Sequence, residues 1–129
     1  ALVNATTFAD GRAAGVLVNS ADDPARCDFF LPAVIRRGEL AIAVSTGGTS
    51  PALARVMREE LQSMVGEDYT LLVEIAAAMR RVVRRGSRVV TRYQLTAALK
   101  EPTFRQYVRA GQRDAAVARF RTVLGIEEK

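Results

Sequence analysis

The spacing of apolar residues changes character near the middle of the chain. In the first part they come in short runs that empty into polar turns: Ala1 to Thr7, Gly15-Val16-Leu17-Val18-Asn19, and Ala33-Val34-Ile35 followed by Leu40-Ala41-Ile42-Ala43-Val44. Runs of this length and composition predict buried strands. Asp22-Asp23-Pro24 breaks the second run, and Arg37-Gly38 forms the turn that joins the third to the fourth. Phe8 to Ala14 leaves room for only about two helical turns between the first two strands, short for a parallel crossover.

From Ser50 onward the period becomes helical. Ser50 is a good N-cap and Pro51 a good first helical residue, because the serine oxygen can accept from a free N–H and proline lacks the N–H that would go unpaired. Leu53, Val56, Met57, Leu61 and Met64 then share one face, with Arg58, Glu59 and Glu60 largely opposite, until Gly66 supplies an end. Leu71, Leu72, Ile75, Met79, Val82 and Val83 stripe a further helix up to Gly86. Thr91-x-x-Gln94 is a capping box, Gly111 closes a segment holding Phe104, Tyr107 and Val108, and Ala115 to Leu124 forms the last helix. The predicted organisation is an α/β part over the first strands, a connecting helix, and an all-helical part.

Hydrophobic residues at 49% and charged residues at 26% exclude a disordered chain, and no run reaches the roughly 18 apolar residues of a membrane span. Cys27 is the single cysteine. An internal disulfide is therefore excluded and a cytoplasmic setting expected, with the thiol read as a small core residue. The net charge of +5 is unevenly spread, with −3 over residues 1–68 and +8 over residues 69–129. Lys100 and Lys129 are the only lysines, and arginine favours planar, bidentate partners such as carboxylate and phosphate. A polyanionic partner and a simply solvated Arg-rich surface both account for this.

Two stretches can carry chemistry. Asp22 and Asp23 follow the strand ending at Asn19, the carboxyl edge where α/β sheets hold ligands, so a carboxylate there can serve as base or metal ligand; Asp-Asp-Pro is equally good turn chemistry. Ser45-Thr46-Gly47-Gly48-Thr49-Ser50-Pro51 combines glycines, hydroxyls and a helix start, which suits a phosphate or carboxylate but also an ordinary strand-to-helix turn. The absence of histidine excludes a Ser-His-Asp triad and a histidine zinc site within this sequence. Neither G-x-x-x-x-G-K-[ST] nor G-x-G-x-x-G occurs. Arg80, Arg81, Arg84, Arg85 and Arg88 form the densest basic cluster; without interleaved aromatics, nucleic-acid binding is the weaker reading.

Val18-Asn19-x-x-Asp22-Asp23-Pro24-x-x-Cys27-Asp28-Phe29-x-x-Pro32-Ala33, taken with Ala43-Val44-Ser45-Thr46-Gly47-Gly48-Thr49-Ser50-Pro51-Ala52-Leu53-Ala54-Arg55, resembles the siroheme synthase N-terminal module family. That family comprises precorrin-2 dehydrogenases, some of which are also sirohydrochlorin ferrochelatases. The resemblance is strongest over residues 16–65. It implies the C-terminal part of a Rossmann-like NAD-binding domain over 1–32, a dimerisation segment over 33–66 and a helical domain over 67–129. The implied protein is a homodimer that oxidises the tetrapyrrole precorrin-2 to sirohydrochlorin with NAD, in some members then inserting ferrous iron.

On that resemblance Asp22 matches the catalytic aspartate, a general base. Thr6 and Asn19 fall where strand ends approach the nicotinamide side of the cleft. Ser45, with Gly47, Gly48 and Thr49 of the same loop, lies on the substrate side, and the matching serine is phosphorylated in some members. The family's glycine-rich turn has no counterpart ahead of Ala1, and about eight residues of a loop and helix start are lacking between Thr7 and Phe8, so a longer parent protein is expected. The rival readings are a basic helical module that binds nucleic acid and a regulatory domain that binds a sugar phosphate through Ser45–Ser50.

Overall fold

The computed structural model describes residues 2–20, 22–86 and 89–126; Ala1, Arg88 and Lys129, singled out above, lie outside them. Its elements are α1 (Leu2–Ala14), a 3-10 turn (Pro24–Arg26), β1 (Ala33–Arg37), β2 (Leu40–Val44), α2 (Pro51–Met64), α3 (Asp68–Arg85), α4 (Arg92–Lys100), α5 (Pro102–Arg109) and α6 (Arg113–Leu124). The described residues thus make a helix-rich chain with one two-stranded sheet, β1 paired to β2. None of its described helices is long and apolar enough to cross a membrane.

The N-terminal expectation needs correction. The stretch predicted as a first strand, up to Thr7, is helical and continues without a break through Phe8 to Ala14. Val3, Thr6 and Thr7 are β-branched and read as strand, but no glycine or proline interrupts the helix before Gly11, and the helix-propensity cost of three β-branched residues is small. Gly15 then ends the helix at φ +69°, with its N–H bonded to the Arg12 carbonyl and that of Val16 to the Gly11 carbonyl. This is the paired closure that a left-handed residue permits. The second expected strand, Gly15–Asn19, is irregular backbone that joins no sheet, and Val16 and Leu17 are exposed.

The hairpin forms as the alternation predicts. Ile35 is buried between exposed Val34 and Arg36. Arg37 sends its Nε to the carbonyl oxygens of Val65 at 3.1 Å and Gly66 at 3.2 Å, just beyond the end of α2, where a cation complements the free carbonyls and helix dipole. At the start of α2 the Ser50 hydroxyl accepts from the Leu53 N–H at 3.2 Å, and Pro51 is the first residue, as expected. Of the α2 residues only Ala54 is buried; Leu53, Val56, Met57 and Met64 are exposed, Leu53 at 52% and Met64 at 73%.

Backbone contacts divide the chain into two compact units, Ala1–Ile35 with Ile42–Gln62, and Arg36–Ala41 with Ser63–Lys129. The second unit has a core of Ile75, Met79, Ala98, Phe104, Val108, Ala116, Phe120 and Leu124. Phe104 and Phe120 meet edge to face, with centroids 4.9 Å apart and planes at 63°. Thr91 and Gln94 form the expected capping box. One break had no counterpart in the periodicity: α4 stops at Glu101, which is extended at φ −62° and ψ 127°, as a residue before proline prefers. Glu101 also caps α5. Its carboxylate accepts from the Phe104 N–H at 2.6 Å and from Arg119 Nη2 at 2.7 Å, and these bonds, Arg119 foremost, lower its pKa from the ordinary 4.5 to about 2.

Candidate functional site

In the first unit a cavity of about 440 Å³ is lined by Asn19, Ser20, Asp22, Asp23, Pro24 and Cys27, by Phe30 and Leu31, by Val44, Ser45, Thr46 and Gly48, and by Pro51 and Ala54. The two stretches that the sequence singled out therefore face one space.

The first wall is a loop closed upon itself. Val18, at 9% exposure its apolar anchor, accepts from the Asp28 N–H at 2.8 Å and donates its own N–H to Asp28 Oδ2 at 3.0 Å. Asn19 Nδ2 donates to the Phe29 carbonyl at 2.8 Å. Inside this clasp the Cys27 sulfur accepts from the Ser20 N–H at 3.3 Å and lies 3.3 Å from the Ser20 carbonyl oxygen and 3.4 Å from that of Asp23. The thiol organises the turn rather than filling a hydrophobic core.

Asp22 and Asp23 are distinguished by what holds them. Asp23 Oδ2 takes Arg26 Nη1 at 2.6 Å, an i,i+3 ion pair across the 3-10 turn. Asp28 is committed to Val18 and lies 4.0 Å from Arg12. Asp22 has neither an ion pair nor a hydrogen bond among the described residues; it is exposed and held at φ +56°, the one described non-glycine residue in the left-handed region. Aspartate tolerates that region better than most residues, and such strain concentrates where a side chain must be presented.

The second wall is the Gly47-Gly48 loop. Its amides are mostly spent on its own turn: Gly47 N–H to Ser45 Oγ at 3.2 Å, Thr49 N–H to the Thr46 carbonyl at 3.1 Å and Ser50 N–H to Thr46 Oγ1 at 3.0 Å. The loop is therefore not an open anion cradle, which removes the geometric basis for a sugar-phosphate site there. Ser45 and Gly48 line the cavity, whereas Gly47 and Thr49 do not. Thr46, passed over as a ligand-facing residue, does line it. Asn19 is at the wall, but Thr6 sits within α1 rather than at a strand end and is not among the lining residues.

Phe30 is the residue that sequence reasoning missed. Its ring lies where a side chain at Gly48 would go: a Cβ there would come within 2.5 Å of Cε1. The adjacent Phe29-Phe30 pair, placed between two polar motifs, was the available signal. No group of three or more histidine, cysteine, aspartate or glutamate residues able to hold a metal ion occurs among the described residues.

The cavity's uncharged amide, hydroxyl and apolar walls suit a nicotinamide ring and its ribose. No arginine or lysine lines it, and the glycine-loop amides are mainly engaged, so the described residues do not fit the pyrophosphate.

Residues 1–33 match an NAD(P)-binding family, and residues 37–64 match the family described as sirohaem biosynthesis protein central. The siroheme synthase of Nitrosomonas europaea is 43% identical over 82 residues, covering 64% of this chain and 17% of that protein. The siroheme synthase of Nitrosococcus oceani is 37% identical over 105 residues, covering 81% of this chain and 22% of its own length. A solved structure of SirC, a precorrin-2 dehydrogenase, superposes with a TM-score of 0.56 at 26% identity, covering 83% of this chain and 52% of SirC. The chain thus spans about a fifth of the curated relatives it matches and about half of SirC. Two family matches lying end to end, one of them to an NAD(P)-binding family, together with these homologues and this likeness, identify the chain as a member of the siroheme synthase N-terminal module family, users of NAD.

Proposed function

We propose that the protein to which this chain belongs is an NAD-dependent precorrin-2 dehydrogenase, with Asp22 as its general base. The observation that carries this is the contrast between neighbours: of the two carboxylates that line the cavity, Asp23 is tied to Arg26 and Asp22 is uncommitted among the described residues. A base must be free to receive a proton and close to the reacting carbon.

Oxidation of precorrin-2 to sirohydrochlorin removes two electrons and two hydrogens from the macrocycle, one as hydride and one as proton. NAD, when bound, would supply the hydride acceptor. The carboxylate of Asp22 takes the proton from the macrocycle carbon and later returns it to water, so charge and hydrogen balance. Ser45 and Thr46 offer hydroxyls to the polar rim of the substrate, while Phe30 and Leu31 cover its apolar body. Insertion of ferrous iron, a substrate in the ferrochelatase reaction, displaces two pyrrole protons, which the same carboxylate accepts one at a time and passes to water.

The exposed stripe of α2 supports a homodimer in which Leu53, Val56, Met57 and Met64 are covered by a second copy. Exposed apolar residues gathered on one helix face mark an interaction surface. The activity is tested by following NADH formation from precorrin-2 and NAD with the full-length protein and its Asp22→Asn variant. Turnover that requires NAD and falls about 10²-fold in the variant supports the reading. Equal turnover in a folded variant overturns the assignment of Asp22, and no turnover in the parent overturns the dehydrogenase itself.

A further inference from the structure

The helical unit carries a second cavity, of about 480 Å³, whose charge is opposite in character to the first. Lys100 comes to it from the last turn of α4, and Arg105, Gln106 and Arg109 from α5, with Tyr69 of α3 completing the polar wall. Pro102, Arg105, Gln106 and Arg109 stand at i, i+3, i+4 and i+7, one continuous face of α5. No carboxylate lines this space.

Some arginines of this unit meet acids: Arg113 pairs with Glu74, Arg119 with Glu101, and Arg37 with Glu67. Others, such as Arg80 and Arg84 of α3, stand exposed without an ion pair among the described residues, but they do not line this cavity. Lys100, Arg105 and Arg109 have no such partner among the described residues. Three like charges around one concavity repel one another, and low-dielectric walls focus their field into it. One of them is already positioned: the guanidinium carbon of Arg105 lies 4.8 Å from the centroid of the Tyr69 ring. A cation held against an aromatic face loses less freedom when it binds an anion, which raises affinity without any new contact. Leu99 and Pro102 give the cavity an apolar side, and Gln106 adds a neutral donor.

We propose that this cavity of the helical unit is an anion site, separate from the Asp22 cavity, that takes a compact ligand bearing two or more negative charges as phosphate or carboxylate. Arginine forks and a lysine point charge suit both groups. Nothing in the proposal depends on the dehydrogenase reading.

The test is a titration of the full chain at low ionic strength with inorganic pyrophosphate and, separately, with citrate, followed by calorimetry and backbone amide shifts. The expected result is saturable binding of at least one probe, with shifts gathered over residues 99–109. Tighter binding of pyrophosphate assigns phosphate as the natural group, and tighter binding of citrate assigns carboxylate. Replacing Arg105 and Arg109 together by glutamine should weaken binding about tenfold or more, the loss expected for charge-assisted hydrogen bonds. The Arg80→Gln/Arg84→Gln pair on exposed α3 positions should leave it within about twofold, since neither residue lines the cavity. Absence of saturable binding by both probes overturns the proposal. So does an equal loss in the two double variants, which would mean a diffuse field and no site.

Discussion

The ring of Phe30 occupies the space above Gly48 so closely that even a methyl group at position 48 would meet three of its carbons at 3.0 Å or less. Gly48 is therefore required twice, by its φ of +80° and by this contact. Gly47, its neighbour, has φ +61° but open space around it. Gly47→Ala should cost roughly 1–2 kcal/mol, from the left-handed backbone alone. Gly48→Ala should cost more, by a further ~1–3 kcal/mol of overpacking, and part of that excess should return in Gly48→Ala/Phe30→Ala. Thermal unfolding of the four variants reads this, and equal destabilisation by the two single alanines would refute the contact.

Asp22 and Asp23 should separate cleanly under the same substitution. Asparagine tolerates the left-handed region, so Asp22→Asn should keep the fold while turnover falls about 10²-fold. Asp23→Asn leaves the cavity base in place and removes a partly exposed ion pair, worth up to about 1 kcal/mol. Circular dichroism melts set beside NADH formation test the contrast. A larger catalytic loss in Asp23→Asn would reverse the two roles.

Much of this was legible in the chain because the controlling interactions are local. Ser50-Pro51 starts α2, and Thr91 with Gln94 starts α4, through bonds that span three residues. The N-terminal helix was hidden because β-branched Val3, Thr6 and Thr7 resemble a strand when counted by composition, and the closure that reveals the helix lies at Gly15. The break at Glu101 was masked because Pro102 interrupts an apolar period that continues on both sides. The distinction between Asp22 and Asp23 was available in the Asp23–Arg26 spacing. The basic cavity was not, since Tyr69 meets Arg105 only through packing of α3 against α5.

Acid should weaken the helical unit through Glu101. Its carboxyl has a pKa of about 2 in the fold against an ordinary 4.5, so its contribution is fully present above about pH 4.5 and is lost as pH falls toward 2. Melting temperature measured across that window should drop more steeply for the parent than for Glu101→Gln. Parallel curves would show that this carboxylate is not responsible.

The exposed stripe on α2 makes a further prediction about assembly. Leu53→Glu/Val56→Glu places charge on two exposed positions, so it should spare folding and convert a dimer to a monomer in sedimentation velocity. A parent that is monomeric throughout the micromolar range would remove the dimer from the proposed function.

The Cys27 clasp has a consequence for chemical durability. A sulfur atom reaches the Ser20 and Asp23 backbone at 3.3–3.4 Å, distances at which a hydroxyl oxygen on its shorter bond would make poor contact. Serine is consequently no substitute, and alkylation or oxidation of the thiol inserts bulk where the loop folds inward. The presentation of Asp22 is thus tied to the redox history of one atom that takes no part in proton transfer.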